Sequence, residues 1–380
     1  MSRLMLVFGT RPEAIKLAPV AQALRARPEH EPLVTVTAQH REMLDQVLDL
    51  FDIKVDHDLD VSTPRQGLAS LTTRALDRLM PVVNSEAPDA IIVQGDTTTT
   101  LVGALAGFYA QIPVVHLEAG LRTDDPHNPY PEEMNRRLTT RLASLHLAAT
   151  PLARDNLLAD GVQSRDIVVT GNTVIDALLW SIAQHRPAHD PLHLQARDHP
   201  GPVVLVTTHR RESWGEPLRR VATAIAEISR RHPHLLVVLP LHRNPIVRET
   251  LLPTLTGLRN VAIGEPSDYW SFGQLMQRAD ILLSDSGGVQ EEAPSLGKPV
   301  LVMRDNTERP EAIAAGVARL VGTDPQRIIA SVTQLLADPA AYDEMARQAN
   351  PYGDGHAAER TVAAIEAMLC GQMDGQQSVA

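Results

Sequence analysis

Short β-branched and apolar runs alternate with amphipathic stretches along nearly the whole chain, and this alternation restricts the fold more than any other property of the sequence. Strands joined through helices pair in parallel and are covered on both faces, so the chain reads as an α/β protein built on open parallel sheets. In the first half the runs fall at 4–8, 33–37, 90–93, 114–117, 146–149 and 167–170. Helical patterns lie between them, most clearly at 14–25 and 66–86, the second placing Leu68, Leu71, Ala75, Leu76 and Leu79 on one face. The stretch 185–202 holds four prolines and four histidines with no apolar period and reads as a connecting loop. A second alternating series follows at 203–207, 235–239, 261–264, 281–284, 299–303 and 319–321, then helices near 325–337, 339–347 and 356–369 and a polar, frayed tail. Two similar series predict two Rossmann-like domains with a cleft where their C-terminal strand ends meet.

The balance of 35 basic to 46 acidic residues argues against nucleic-acid binding as a main role, because no net positive field gathers a phosphate backbone. The start, MSRLMLVFGTRPE, turns polar too soon for a signal peptide and predicts a buried first strand. No run approaches the ~18 apolar residues of a membrane helix. A single cysteine, Cys370, excludes an intrachain disulfide and speaks against a thiolate metal cluster. A cytoplasmic protein that does not engage membranes is the expectation.

In sheets of this kind functional groups lie just after strands. After 281–284 comes Asp285-Ser286-Gly287-Gly288 and then a helix carrying Glu291 and Glu292. Glycines let an anion approach the main chain, a helix start offers unpaired N–H groups, and a carboxylate one turn on suits ribose hydroxyls. The same residues also make a tight strand-to-helix turn with acidic side chains favoured by the helix dipole. Elsewhere the strand ends deliver Arg11 and Lys16; Asp96; Glu118; Tyr130-Pro131-Glu132; His209, Arg210 and Arg211; His242, Arg243 and Asn244; and Arg304 to Arg309. Each alone has a structural reading as a cap, a solvated cation or a buried histidine. Together they gather cations opposite three carboxylates, and a diphosphate is what needs such cations, arginine above all. Asp96, Glu118 and Glu132 are then the acid/base candidates, with His209 a phosphate ligand or an acid. The segment HRNP at 242–245 lacks metal spacing and no His-Glu-x-x-His pair is present, so neither a metal nor a cofactor is expected.

The segments GTRPEAIKLAP (9–19), TAQHREMLDQVL (37–48), QGDTTTT (94–100), HLEAGLRT (116–123), PYPEEMNRR (129–137), GNTVIDAL (171–178), THRRES (208–213), SDSGGVQEEAPSLGKPVL (284–301) and RDNTERPEA (304–312) resemble the bacterial non-hydrolysing UDP-N-acetylglucosamine 2-epimerases over residues 3–360. The resemblance implies a GT-B-like fold with an N-terminal domain at 1–170, a C-terminal UDP-binding domain at 171–354, and a helix in 355–380 that crosses back to the first domain. It implies substrate contacts at Arg11, Lys16, Asp96, Glu118, His209, Phe272, Ser286, Gly287, Gly288, Glu292 and Arg309, and a catalytic carboxylate at Glu132. It further implies a second UDP-N-acetylglucosamine acting as an activator at Gln39, Glu42, Arg65, Arg210 and His242, and a homodimer. Glu42 stands where glutamine is frequent, and a carboxylate accepts hydrogen bonds but does not donate them. Ser267 stands where relatives often place a larger residue.

The activity implied is reversible inversion at C2, by elimination of UDP to a 2-acetamidoglucal and its re-addition, in a chain that feeds cell-envelope polysaccharide synthesis. Other readings of the same pattern are a GT-B glycosyltransferase, a hydrolysing epimerase, an epimerase for a modified UDP-N-acetylhexosamine, and a nucleotide-sugar sensor.

Overall fold

The computed structural model describes residues 1–38, 41–63, 67–123 and 125–371, without the side chains of 41–43. The chain divides into two compact units, one formed by Met1–Leu179 and the chain from Tyr352 onward, the other by Trp180–Pro351.

The first unit is a parallel sheet of seven strands among the described residues: β1 (Ser2–Phe8), β2 (His30–Val36), β3 (His57–Asp58), β4 (Ala90–Gln94), β5 (Val114–Ala119), β6 (Leu145–Ala148) and β7 (Ile167–Val169). Their order, β3-β2-β1-β4-β5-β6-β7, reverses between β1 and β4. That reversal opens a crevice at the strands' C-terminal ends, the position at which doubly wound sheets bind ligands. Leu4, Met5, Leu6 and Val7 are fully buried, as a central strand covered on both faces requires. The two-residue edge strand β3 has no apolar run and leaves no periodic signal in the sequence.

The second unit repeats the plan with β8 (Val203–Thr207), β9 (Leu236–Pro240), β10 (Val261–Gly264), β11 (Ile281–Ser284), β12 (Val300–Val302) and β13 (Ala318–Leu320), in the order β10-β9-β8-β11-β12-β13. Again the reversal falls beside the first strand of the series, between β8 and β11. The expectation of a loop over 185–202 is corrected, because Pro191–Asp198 is a helix. Proline is at home in its first turn, and the Asp190 carboxylate accepts from Leu192 N at 2.8 Å, so residues that read as breakers here begin a helix.

Helix Ala357–Leu369 belongs to the first unit and packs on helix Arg11–Arg25. Its start is capped from a distance: Asp176 accepts from Ala357 N at 3.2 Å and Ala358 N at 2.8 Å. Glu366 near its end takes Arg27 Nη1 at 2.5 Å and lies 2.9 Å from His30 Nε2. Glu29, His30 and Glu366 bring possible metal-ligand atoms within 4.8 Å of one another. With Arg27 on the shared Glu366 oxygen, the cluster is an ion-paired tie between this helix and the start of β2. Among the described residues no helix is long and apolar enough to cross a membrane.

His116 on β5 and His146 on β6 are register partners and are buried side by side. Burial lowers the His116 imidazole to about 4, and burial with the neighbouring His116 and Arg122 lowers His146 to about 3. An imidazole depressed in the folded state contributes stability that is present above its unfolded pKa of ~6.5 and is lost as pH falls through the folded value. His146→Leu, which keeps the volume and removes the titrating group, should therefore flatten the acid-side fall of the thermal midpoint between about pH 6.5 and about pH 3. A midpoint that falls as steeply in the variant as in the parent protein would show that this pair does not drive acid unfolding.

Candidate functional site

In the first unit the polar groups collect where β1, β4 and β5 end. Thr10 starts helix Arg11–Arg25, and Glu13 in its first turn is buried. Glu13 Oε2 accepts from Gly9 N at 3.1 Å, Thr10 N at 2.8 Å and Thr10 Oγ1 at 2.7 Å, while Oε1 accepts from Thr97 Oγ1 at 2.7 Å. The carboxylate thereby clamps the loop after β1 to the loop after β4. Arg11 stands exposed at the first helical position, and Lys16 reaches inward from the second turn.

Lys16 is ion-paired with Glu118, the two side chains retaining 13% and 14% of their exposure. Gln94 donates to the other Glu118 oxygen, and Asn172 Nδ2 donates to the Lys16-facing oxygen at 3.0 Å. Glu118 lies at a register shift of β5 with a left-handed φ of 60°, a conformation uncommon outside glycine and frequent at functional sites.

Asp96 follows β4 and is fixed from helix Glu132–Leu142: Arg136 Nη2 lies 2.7 Å from Asp96 Oδ2, and Asn135 Nδ2 donates to the Asp96 carbonyl at 2.9 Å. One residue earlier, the Gly95 carbonyl is 2.7 Å from His116 Nε2. The Asp96 carboxyl is pushed up to about 6, chiefly by burial; Arg136 opposes the rise, Glu118 and Glu132 add to it, and Lys16 opposes it. Glu132 occupies the first position of its helix. Glu118, Glu132, Arg136 and Lys16 thus all act on the Asp96 carboxyl, which burial and the two glutamates raise toward neutrality. The four threonines of QGDTTTT are largely architectural. Thr97 caps helix Thr98–Ala110, Thr99 Oγ1 lies 2.9 Å from Thr37 Oγ1, and Thr100 Oγ1 donates to the Gln94 carbonyl at 2.6 Å.

In the second unit the organising group is Asp285, fully buried just after β11. Its Oδ2 accepts from Thr208 Oγ1 at 2.8 Å, His209 N at 2.9 Å and Arg210 N at 3.0 Å, and Oδ1 lies 3.4 Å from His209 Nδ1. One carboxylate therefore shapes the whole loop after β8. Burial lowers the His209 imidazole against the pull of Asp285, and Arg210 and His242 lower it further. The His209 and His242 rings stack with centroids 5.7 Å apart.

Ser286 precedes the short helix Gly287–Glu292 with extended backbone angles. A Cβ placed on Gly287 would lie 3.6 Å from Arg210 Nη2 and 4.0 Å from Arg309 Nη2, so two guanidinium tips face this bare stretch of main chain. Gly288 is open enough that its Cβ would meet only Glu292 Oε2 at 3.6 Å and Ser286 Oγ at 3.9 Å. The paired glutamates fall in the second turn and have separate partners: Glu291 is ion-paired with Arg309, and Glu292 Oε1 accepts from Tyr269 OH at 2.9 Å. That placement removes the helix-dipole explanation for them, which applies to the first turn. Phe272 is half-buried on helix Tyr269–Arg278.

The structure thus brings Lys16, Asp96, Glu118 and Glu132 together in the first unit, and His209, Arg210, His242, Gly287 and Arg309 in the second. Gln39, Arg65 and the side chain of Glu42 lie outside the described residues. Sequence reasoning passed over Arg136, Asn172 and Asp285. Arg136 carries a weak signal, four residues and one helical turn after Glu132; Asp285 acts on residues 75 to 77 positions away, and nothing local announces it.

The profile of the family described as UDP-N-acetylglucosamine 2-epimerase matches residues 22–366. A UDP-N-acetylglucosamine 2-epimerase of Yersinia pestis is 52% identical over 371 residues, covering 96% of this chain and 98% of that protein. The crystal structure of UDP-GlcNAc 2-epimerase from Neisseria meningitidis bound to UDP-GlcNAc superposes with a TM-score of 0.86 at 47% identity, covering 96% of this chain and 99% of that one. The Methanocaldococcus jannaschii enzyme in complex with UDP-GlcNAc and UDP superposes with a TM-score of 0.78 at 31% identity, covering 96% and 99%. The two parallel-sheet α/β units are those of a GT-B-like fold. By sequence and by structure, this chain belongs to the UDP-N-acetylglucosamine 2-epimerase family.

Proposed function

We propose that the protein interconverts UDP-N-acetylglucosamine and UDP-N-acetylmannosamine without net hydrolysis, through elimination and re-addition of UDP. The observation that carries this reading is Asp96 with Glu118, Glu132 and Lys16 within its electrostatic reach, Glu118 itself being ion-paired with Lys16. Binding a nucleotide sugar does not call for carboxylates gathered in this way, whereas exchanging a proton on either face of C2 calls for at least two groups that can take and give one.

The C2 hydrogen of the substrate is not acidic, since no carbonyl adjoins it. Acidity arises when a carboxylate takes this proton while the C1–O bond breaks, its electron pair leaving with the β-phosphate of UDP and a C1–C2 double bond forming in the sugar. Return of UDP to C1 with protonation of C2 on the opposite face gives the epimer, and atoms and charge balance. In this scheme Asp96, Glu118 and Glu132 take and return the proton. His209, Arg309 and the main chain at Ser286, Gly287 and Gly288 hold the diphosphate and stabilise the charge that grows on it, the largest contribution expected. Glu292 grips the ribose, and Phe272 packs near the base. A second UDP-N-acetylglucosamine acting as an activator is assigned to Arg210 and His242 in the second unit.

In deuterium oxide, both epimers should acquire deuterium at C2, read by proton NMR during turnover; product free of deuterium would exclude the elimination route. Asp96→Asn should lower kcat by about 100-fold or more, the usual worth of a general acid–base group. Full activity in that variant would remove Asp96 from the scheme.

A further inference from the structure

Arg136 is 4% exposed, and its surroundings do not explain it as a structural ion-pair partner. The adjacent carboxylate, Glu133, is fully buried and has its own counter-ion: Oε1 lies 2.6 Å from Arg137 Nε, and Oε2 accepts from Thr123 N at 3.1 Å. Arg136 approaches Glu133 only at 3.4 Å through Nη1, and neither Nη1 nor Nε has a hydrogen-bond partner among the described residues. Leaving such donors unpaired is costly, and an apolar side chain of the same volume would fill this space more cheaply. Among the described residues the shortest ion-pair contact of the guanidinium is to Asp96 Oδ2, at 2.7 Å.

We propose that Arg136 is a positioning residue for the epimerisation, gripping Oδ2 of Asp96 so that Oδ1 is presented for exchange of the substrate proton. Asn135 reinforces the grip by holding the Asp96 carbonyl, so consecutive residues of one helix fix both the main chain and the side chain of Asp96. The charged groups that face this carboxylate are Arg136 and Glu132 from helix Glu132–Leu142, Glu118 from β5, and Lys16 from helix Arg11–Arg25. Burial and the two glutamates favour its protonated form, while Arg136 is the strongest influence opposing them. With Arg136 gone, Asp96 should hold its proton to higher pH, and fewer molecules at neutrality would present the base. The inference rests on the reading of Asp96 as a proton-transfer group.

The test is the pH dependence of kcat for UDP-N-acetylglucosamine in full-length Arg136→Met and Arg136→Lys, with thermal unfolding followed alongside. Arg136→Met should lower kcat at pH 7 by about tenfold or more, leave KM within about threefold, and move the acid limb up by about one pH unit. Arg136→Lys should return the acid limb to near its original position while kcat stays reduced, because the charge is kept and the directed grip is lost. A folded Arg136→Met with the parent's kcat and acid limb overturns the proposal. Should Arg136→Met fail to fold, Arg136→Lys and Glu133→Gln decide it. The second frees Arg136 from its weaker partner and should move the limb down; parental profiles in both overturn the proposal. Asp96→Asn separates the two levels: its full activity sinks the underlying reading, whereas its inactivity beside an unaffected Arg136→Met sinks this inference alone.

Discussion

Glu118 holds a left-handed backbone angle at the bulge that ends β5, and the polar arrangement of the first unit depends on it. Such a conformation costs ~1–3 kcal/mol in a residue with a side chain and persists only where the surroundings determine it. Here the surroundings are specific. Lys16, Gln94 and Asn172 hold the carboxylate, and Gly120, at φ 93°, lets the chain pass helix Pro151–Ala159, where a Cβ would come within 2.1 Å of the Ala153 carbonyl oxygen. The bulge turns Glu118 out of the alternating in-and-out pattern of a regular strand and toward the groups delivered by β1 and β4.

The two units carry complementary chemistry on one repeated plan. Each is a doubly wound sheet with its reversal beside the first strand of the series, and each places its functional groups there. Each also buries a carboxylate whose work is to shape a loop: Glu13 joins the turns after β1 and β4, and Asp285 folds the turn after β8 around His209. In the proposed mechanism the first unit moves protons and the second holds a leaving group that carries most of the developing charge.

Much of this was legible in the sequence for a physical reason. Central parallel strands are apolar on both faces and stop abruptly, so the polar residues after each run are marked by the contrast itself; that contrast singles out Asp96, Glu118, His209 and Ser286-Gly287-Gly288 as candidates. What escaped depends on distance through space. Asp285 sits next to the recognised glycine turn, yet its partners belong to another strand 75 to 77 residues earlier. Arg136 is one of three arginines in an eleven-residue helix, and only burial distinguishes it from its solvated neighbours. The helix Pro191–Asp198 escaped because proline signals both a helix start and a break, and the capping Asp190 decides which.

Cleavage of the bond between C1 and the bridging oxygen is the central claim of the proposed mechanism, since the C2 proton becomes removable by a carboxylate only as UDP departs. Positional isotope exchange tests it most directly, using UDP-N-acetylglucosamine labelled with oxygen-18 in the bridge between C1 and the β-phosphorus. During turnover the account predicts that label spreads from the bridge into the non-bridging oxygens of the β-phosphate in both epimers, followed by phosphorus NMR. Label that stays in the bridge through complete equilibration of the epimers would contradict it.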